Sequence, residues 1–83
     1  MTDYEQILIA RGVELCAEWD KHDEAMARTR QKWDIHYHDE KRLDAGIRLD
    51  ELCLLARTME IASYDDFRER IQKTYENAKE EMV

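Results

Sequence analysis

The chain contains no proline and only two glycines, Gly12 and Gly46, in 83 residues. Those two residue types supply the backbone angles that tight turns and hairpins require. A chain nearly without them is poorly suited to the many short connections of a β-sandwich or an α/β sheet. It is left with a few long elements, and its 40% charged residues suit helices with solvated outer faces. The apolar share of 43% is that of a folded domain. With no repeat, linker or low-complexity tract, residues 1–83 read as one helical domain with one modest core.

Three helical segments follow from phase. The first opens at Thr2 or Asp3, either of which can cap a first turn. Tyr4, Leu8, Leu15, Trp19, Met26, Trp33 and Tyr37 then fall in one stripe at about 100° per residue. His22 lies in the same stripe, and Ile9, Val13 and Cys16 widen it near the start. Helix continuing over about 3–35 would be roughly 50 Å long. The second segment, about 39–62, carries two apolar faces. Leu49, Leu52, Leu55, Ala56 and Met59 form one; Leu43, Ile47, Leu54 and Ile61 form the other. A helix apolar on two sides is expected to have neighbours on both, which makes it the central helix. The third, about 64–81, begins at a capping-box-like pair, Ser63 and Asp66, and continues through Tyr64, Phe67, Ile71, Tyr75, Ala78 and Met82.

The expected fold is therefore all-α: a long N-terminal helix packed with two shorter ones, as a three-helix bundle or an extended helical hairpin. The joint after the first helix is placed within Asp34–Asp39, where Trp33, Ile35 and Tyr37 alternate with Asp34, His36 and His38. Gly46 is a second candidate break, because glycine favours a helix C-terminus.

The net charge of −7 disfavours direct binding to nucleic acid or to an anionic membrane. It suits a protein partner with a basic surface. The acids are spread evenly: residues 1–32 hold seven acids and five bases, 33–62 seven and four, and 63–83 six and four. No segment imitates a phosphate backbone. The longest apolar runs, Ile7–Ala10 and Leu52–Ala56, are far too short to span a membrane. The N-terminus lacks the basic and apolar regions of a signal peptide, so a cytoplasmic location is expected. Cys16 and Cys53 are far apart, outside any CxxC pair, and read as packed free thiols.

Chemically versatile side chains concentrate in Asp34–Glu40. On a helix, Asp34/His38 and His36/Glu40 would pair at i,i+4; in an extended segment, His36 and His38 would point the same way. Neither arrangement matches a metal signature, and the segment reads as a polar elbow. His22 reads as a core or interface histidine. Arg28, Arg30, Lys32, Lys41 and Arg42 gather near the elbow, but no glycine-rich loop is present to cradle a phosphate. No catalytic, cofactor or metal site is expected.

What remains is contact. The first stripe is longer than the roughly 36 Å and 28 Å helices available to cover it. Its uncovered part nominates Trp19, His22, Met26, Arg30, Trp33, His36, Tyr37 and His38 as partner-binding residues. The expected function is a non-enzymatic protein–protein interaction module, of the kind seen in small acidic inhibitors or antagonists of basic, nucleic-acid-handling proteins. Phage anti-defence proteins, antitoxins and immunity proteins share that general character. Two alternatives stand beside it. One is a structural or regulatory homodimer pairing through the heptad-like run Leu8, Gly12, Leu15, Trp19, His22, Met26 and Trp33. The other is a small-ligand or metal-binding domain using the His36–Glu40 elbow.

Overall fold

The helical phases resolve into three helices in a computed structural model that describes residues 3–81. They are α1 (Asp3–Arg28), α2 (Lys32–Thr58) and α3 (Tyr64–Glu81). No strand occurs among the described residues, and each helix contacts the other two. The protein is an all-α three-helix bundle. Thr2 and Met82, assigned above to a cap and to the third stripe, lie outside the described residues.

The first joint falls earlier than the sequence pattern suggests. α1 ends at Arg28 rather than near residue 35, and Asp34–Asp39 lies wholly inside α2. Thr29 makes the break. Its backbone N–H still reaches the Ala25 carbonyl at 3.1 Å, but its hydroxyl accepts the Gln31 N–H at 3.3 Å. The same hydroxyl donates to Asp34 at 3.3 Å. Such local side-chain bonds compete with the helical ladder. Gln31 then sits extended at the N-cap, and the Ile35 N–H opens the new helix on its carbonyl at 3.0 Å. Trp33 and Tyr37 therefore belong to α2. With 27 residues against 26, α2 is no shorter than α1.

Gly46 breaks nothing, and α2 runs through it. The glycine instead gives room to Trp19: a Cβ there would lie 3.1 Å from the indole. α2 ends in a Schellman arrangement. The Ile61 N–H bonds the Ala56 carbonyl and the Glu60 N–H bonds that of Arg57, both at 3.0 Å. Glu60 takes the left-handed φ of 59° usually left to glycine. Ser63 caps α3 as expected, accepting the Asp66 N–H at 3.2 Å.

α1 and α2 pack antiparallel, and α3 returns alongside α1. Glu5 meets Arg70 near one end and Asp20 meets Tyr75 near the other. The core lies where all three helices meet. Leu8, Ile9, Leu15 and Cys16 enter it from α1; Ala45, Leu49, Cys53 and Ala56 from α2; Phe67 and Ile71 from α3. Gly12 lets α1 and α3 approach closely, since a Cβ there would fall 2.6 Å from Ile71 Cδ1. No residue between 17 and 44 is buried. Past Asp20 the bundle thins to a two-helix hairpin, so one chain combines a bundle with an extended hairpin.

Candidate interaction surfaces

The tip of that hairpin gathers much of what the sequence nominated. His22 of α1 faces His38 of α2, with their Nδ1 atoms 2.8 Å apart. At that distance one ring nitrogen donates and the other accepts, so the contact needs at least one neutral imidazole. Tyr37 meets the edges of both rings, at centroid distances of 6.4 Å and 5.1 Å. Burial holds the His22 pKa below its ordinary value. Positive charge at His38, Lys21 and Lys41 adds to that, and Glu18 opposes it.

Beside this pair, Arg42 ties the two helices. Its guanidinium donates to Asp23 at 2.7 Å and to Asp39 at 2.6 Å, and lies 5.2 Å from the Trp19 ring centroid. Both carboxylates push its pKa further up. Trp19 is thus part of the hairpin seam while retaining partial exposure, and Met26 is half-buried on α1.

Three other nominated residues stand apart from this cluster. Arg30 is exposed in the turn, and Trp33 is 76% exposed on the first turn of α2. His36 points away from His38 and pairs with Glu40 at 3.1 Å, the i,i+4 contact that a helix allows. Asp34 turns to Thr29 rather than to His38. The elbow read from the sequence is regular helix, and its two histidines serve different surfaces. No group of three or more metal-ligating side chains converges among the described residues.

The larger surprise is the outer face of α2. The sequence pattern implied neighbours on both of its apolar sides, but the bundle covers only part of one: Leu49, Leu52 and Ala56 pack inward, while Leu55 and Met59 are 40% and 45% exposed. Leu43, Ile47 and Leu54 lie on the side turned from the core and are 51%, 60% and 44% exposed. Ile61, grouped with them by phase, lies beyond the helix and packs partly against the core. The physical reason is the number of helices. α1 and α3 both sit on the face of Ala45, Leu49, Cys53 and Ala56, and among the described residues no fourth element covers the other. Charged side chains flank the exposed stripe: Glu40, Asp44, Arg48, Glu51 and Arg57. Asp44 and Arg48 pair with each other at 3.1 Å.

A groove of about 360 Å³ opens between the helices over Ala45, Gly46 and Leu49, walled by Trp19, Arg68 and Tyr75. Its polar groups are engaged within the fold. Tyr75 donates to Asp20 at 2.5 Å, Lys79 approaches the same carboxylate at 3.4 Å, and Arg68 donates to the Tyr64 hydroxyl at 3.2 Å. Both cysteines are buried with pKa values raised chiefly by desolvation, which disfavours the thiolate a nucleophile requires. No protein-family model matches the chain, and no curated protein or solved structure matches it. None of the described helices is long and apolar enough to cross a membrane.

Proposed function

We propose that the protein is a non-enzymatic interaction module that docks through the outer face of α2. The observation that carries this reading is the row of Leu43, Ile47 and Leu54, exposed on a helix whose opposite face is already packed. Solvated helix faces are ordinarily polar, and an apolar stripe on one is the form in which a helix presents itself to a partner. Removing the still-exposed part of each side chain from water is worth about 1 kcal/mol per residue. The nominated aromatics Trp33 and Tyr37 extend the available apolar surface toward the hairpin tip, with Lys41 5.7 Å from the Tyr37 ring centroid.

A narrower reading takes the partner to be basic and the protein to be its antagonist. Net charge of −7 and the acids Glu40, Asp44 and Glu51 beside the stripe support it. Such a complex weakens as salt is added.

The test is a photo-crosslinking residue placed at Ile47 in the producing cell, with a second at Gln72 on α3 as the control site. Products specific to position 47 are expected. Absence of any product, with itself or with another chain, overturns the docking reading.

A further inference from the structure

The exposed stripe has a pattern that identifies one occupant. Continued at alternating steps of three and four, it reads Glu40, Leu43, Ile47, Asp50, Leu54 and Arg57, the spacing of a left-handed helix pair. Reversed end to end, the series sets Leu43 opposite Leu54, Glu40 opposite Arg57 and, at the centre, Ile47 opposite Asp50, each twice around a two-fold axis between residues 48 and 49. In an antiparallel pair these are the residues that meet in layers.

The one polar member at the centre is already occupied. The Asp50 carboxylate accepts a hydrogen bond from the Tyr64 hydroxyl of the same chain. It is thereby drawn toward α3, leaving Ile47 as the apolar group at the middle. Arg57, in contrast, makes no ion pair within the described residues, so its guanidinium is available to a carboxylate from outside. Among the described residues Glu40 pairs with the exposed His36, whose positive charge depends on protonation.

From this self-complementarity we infer that the outer face of α2 is covered by a second copy of the chain, packed antiparallel through α2. The inference rests on the docking reading above and names its partner. Each contact occurs twice by symmetry, as an isologous interface requires. The pairing involves the second helix, not the first-helix run that the sequence suggested for a homodimer. Two chains of like net charge repel, and Asp44 and Glu51 bring acids together along the flank of the seam, with Arg48 beside them. The dimer therefore strengthens with moderate salt, opposite to a complex with a basic partner.

Sedimentation equilibrium on the full chain tests this. A dimer is expected by about 1 mM, with Ile47→Glu and Leu54→Glu each weakening it at least about tenfold while helicity is kept. Glu40→Arg and Arg57→Glu should each weaken it, and the double exchange should restore it. Register is read by mixing a Leu43→Cys chain with a Leu54→Cys chain: crosslinks between the two kinds should exceed crosslinks within either kind. A monomer throughout that range, or a preference for like-with-like crosslinks, overturns the inference. If position 47 captures another protein while the chain stays monomeric, the docking reading stands and the second copy is excluded.

Discussion

The two ends of this molecule are held together by different forces. At one end three helices meet around Phe67, Ile71, Leu15 and Cys53, each at most 2% exposed. At the other, beyond Asp20, α1 and α2 continue alone, with no buried residue from 17 to 44. There the contacts are a histidine pair, an arginine between two aspartates and a half-covered tryptophan. Apolar burial is non-directional and stabilises cooperatively with volume filled. Polar contacts across two helices are directional, exchange readily with water and contribute little net free energy. The first end therefore sets global stability, and the second is free to open locally on its own.

The sharpest way to break that contrast is a pair of aromatic truncations. Phe67→Ala empties a fully enclosed site and should cost about 3–5 kcal/mol, enough to threaten folding in so small a domain. Trp33→Ala removes a larger side chain that is mostly in water, and should change stability by less than about 0.5 kcal/mol. Urea unfolding followed by circular dichroism measures both. Similar losses for the two would mean that the hairpin tip carries core-like packing.

Gly12 gives the next effect. Adding a methyl there brings it within 3 Å of three atoms of the Ile71 side chain, which is 1% exposed and branched at Cβ. Strain of about 1–3 kcal/mol exceeds the gain of about 1 kcal/mol in helix propensity. Gly12→Ala should therefore destabilise, and Gly12→Ala combined with Ile71→Val should recover part of the loss. If the single substitution stabilises, α3 is not held closely against α1.

These two ends were unequally legible in the sequence. α3 was readable because a serine cap and an unbroken apolar period agree on one answer. The break at Thr29–Gln31 was not, because Trp33 and Tyr37 happen to continue the phase of the α1 stripe. Thr29 offered the only signal, and threonine also lies inside α3 at position 74, so its presence alone marks no boundary. That error in the joint hid the pairing of His22 with His38, since antiparallel partners are set by where the chain turns. Gly12 was read as a member of a first-helix dimer seam, and its contact with Ile71 of α3 was hidden for a simpler reason: a residue without a side chain adds nothing to an apolar stripe, although it sits between Leu8/Leu15 and Ile9/Cys16. The two apolar faces of α2 were read only in part: Leu49 and Ala56 do pack inward, but with Ala45 and Cys53 rather than with Leu55 and Met59, which are 40% and 45% exposed, and pattern alone does not say how many neighbours exist.

A smaller effect comes from the bond where the three-helix end gives way to the hairpin. Tyr75 donates to Asp20 at 2.5 Å, and burial together with that carboxylate raises its pKa to about 12. The raised value means the folded state holds the phenol proton more tightly than the unfolded chain, where tyrosine titrates near 10. Its contribution is complete below about pH 10 and is lost as pH rises toward 12. Tyr75→Phe should cost about 1 kcal/mol at neutral pH. It should also flatten the alkaline limb of the stability curve, read by denaturant titration at several pH values. An unchanged alkaline limb would place the sensitivity elsewhere.

The finest test concerns the hairpin tip alone. His22 is held below its ordinary pKa, so the unfolded chain binds its proton more readily than the folded one. The neutral ring's contribution is present above about pH 6.5 and is lost as pH falls through the lower folded value. Protonating both partners also replaces the 2.8 Å Nδ1 contact with repulsion next to Lys21 and Lys41. Because no core residue lies beyond Asp20, this loss should open the tip without unfolding the bundle. Amide exchange protection, corrected for intrinsic rates, should fall for residues of the tip between about pH 7.5 and 5.5 and hold steady around Phe67. His22→Gln should remove that difference. If protection falls equally at both ends, the hairpin and the bundle form one cooperative unit, and the division between packed and polar ends has no energetic meaning.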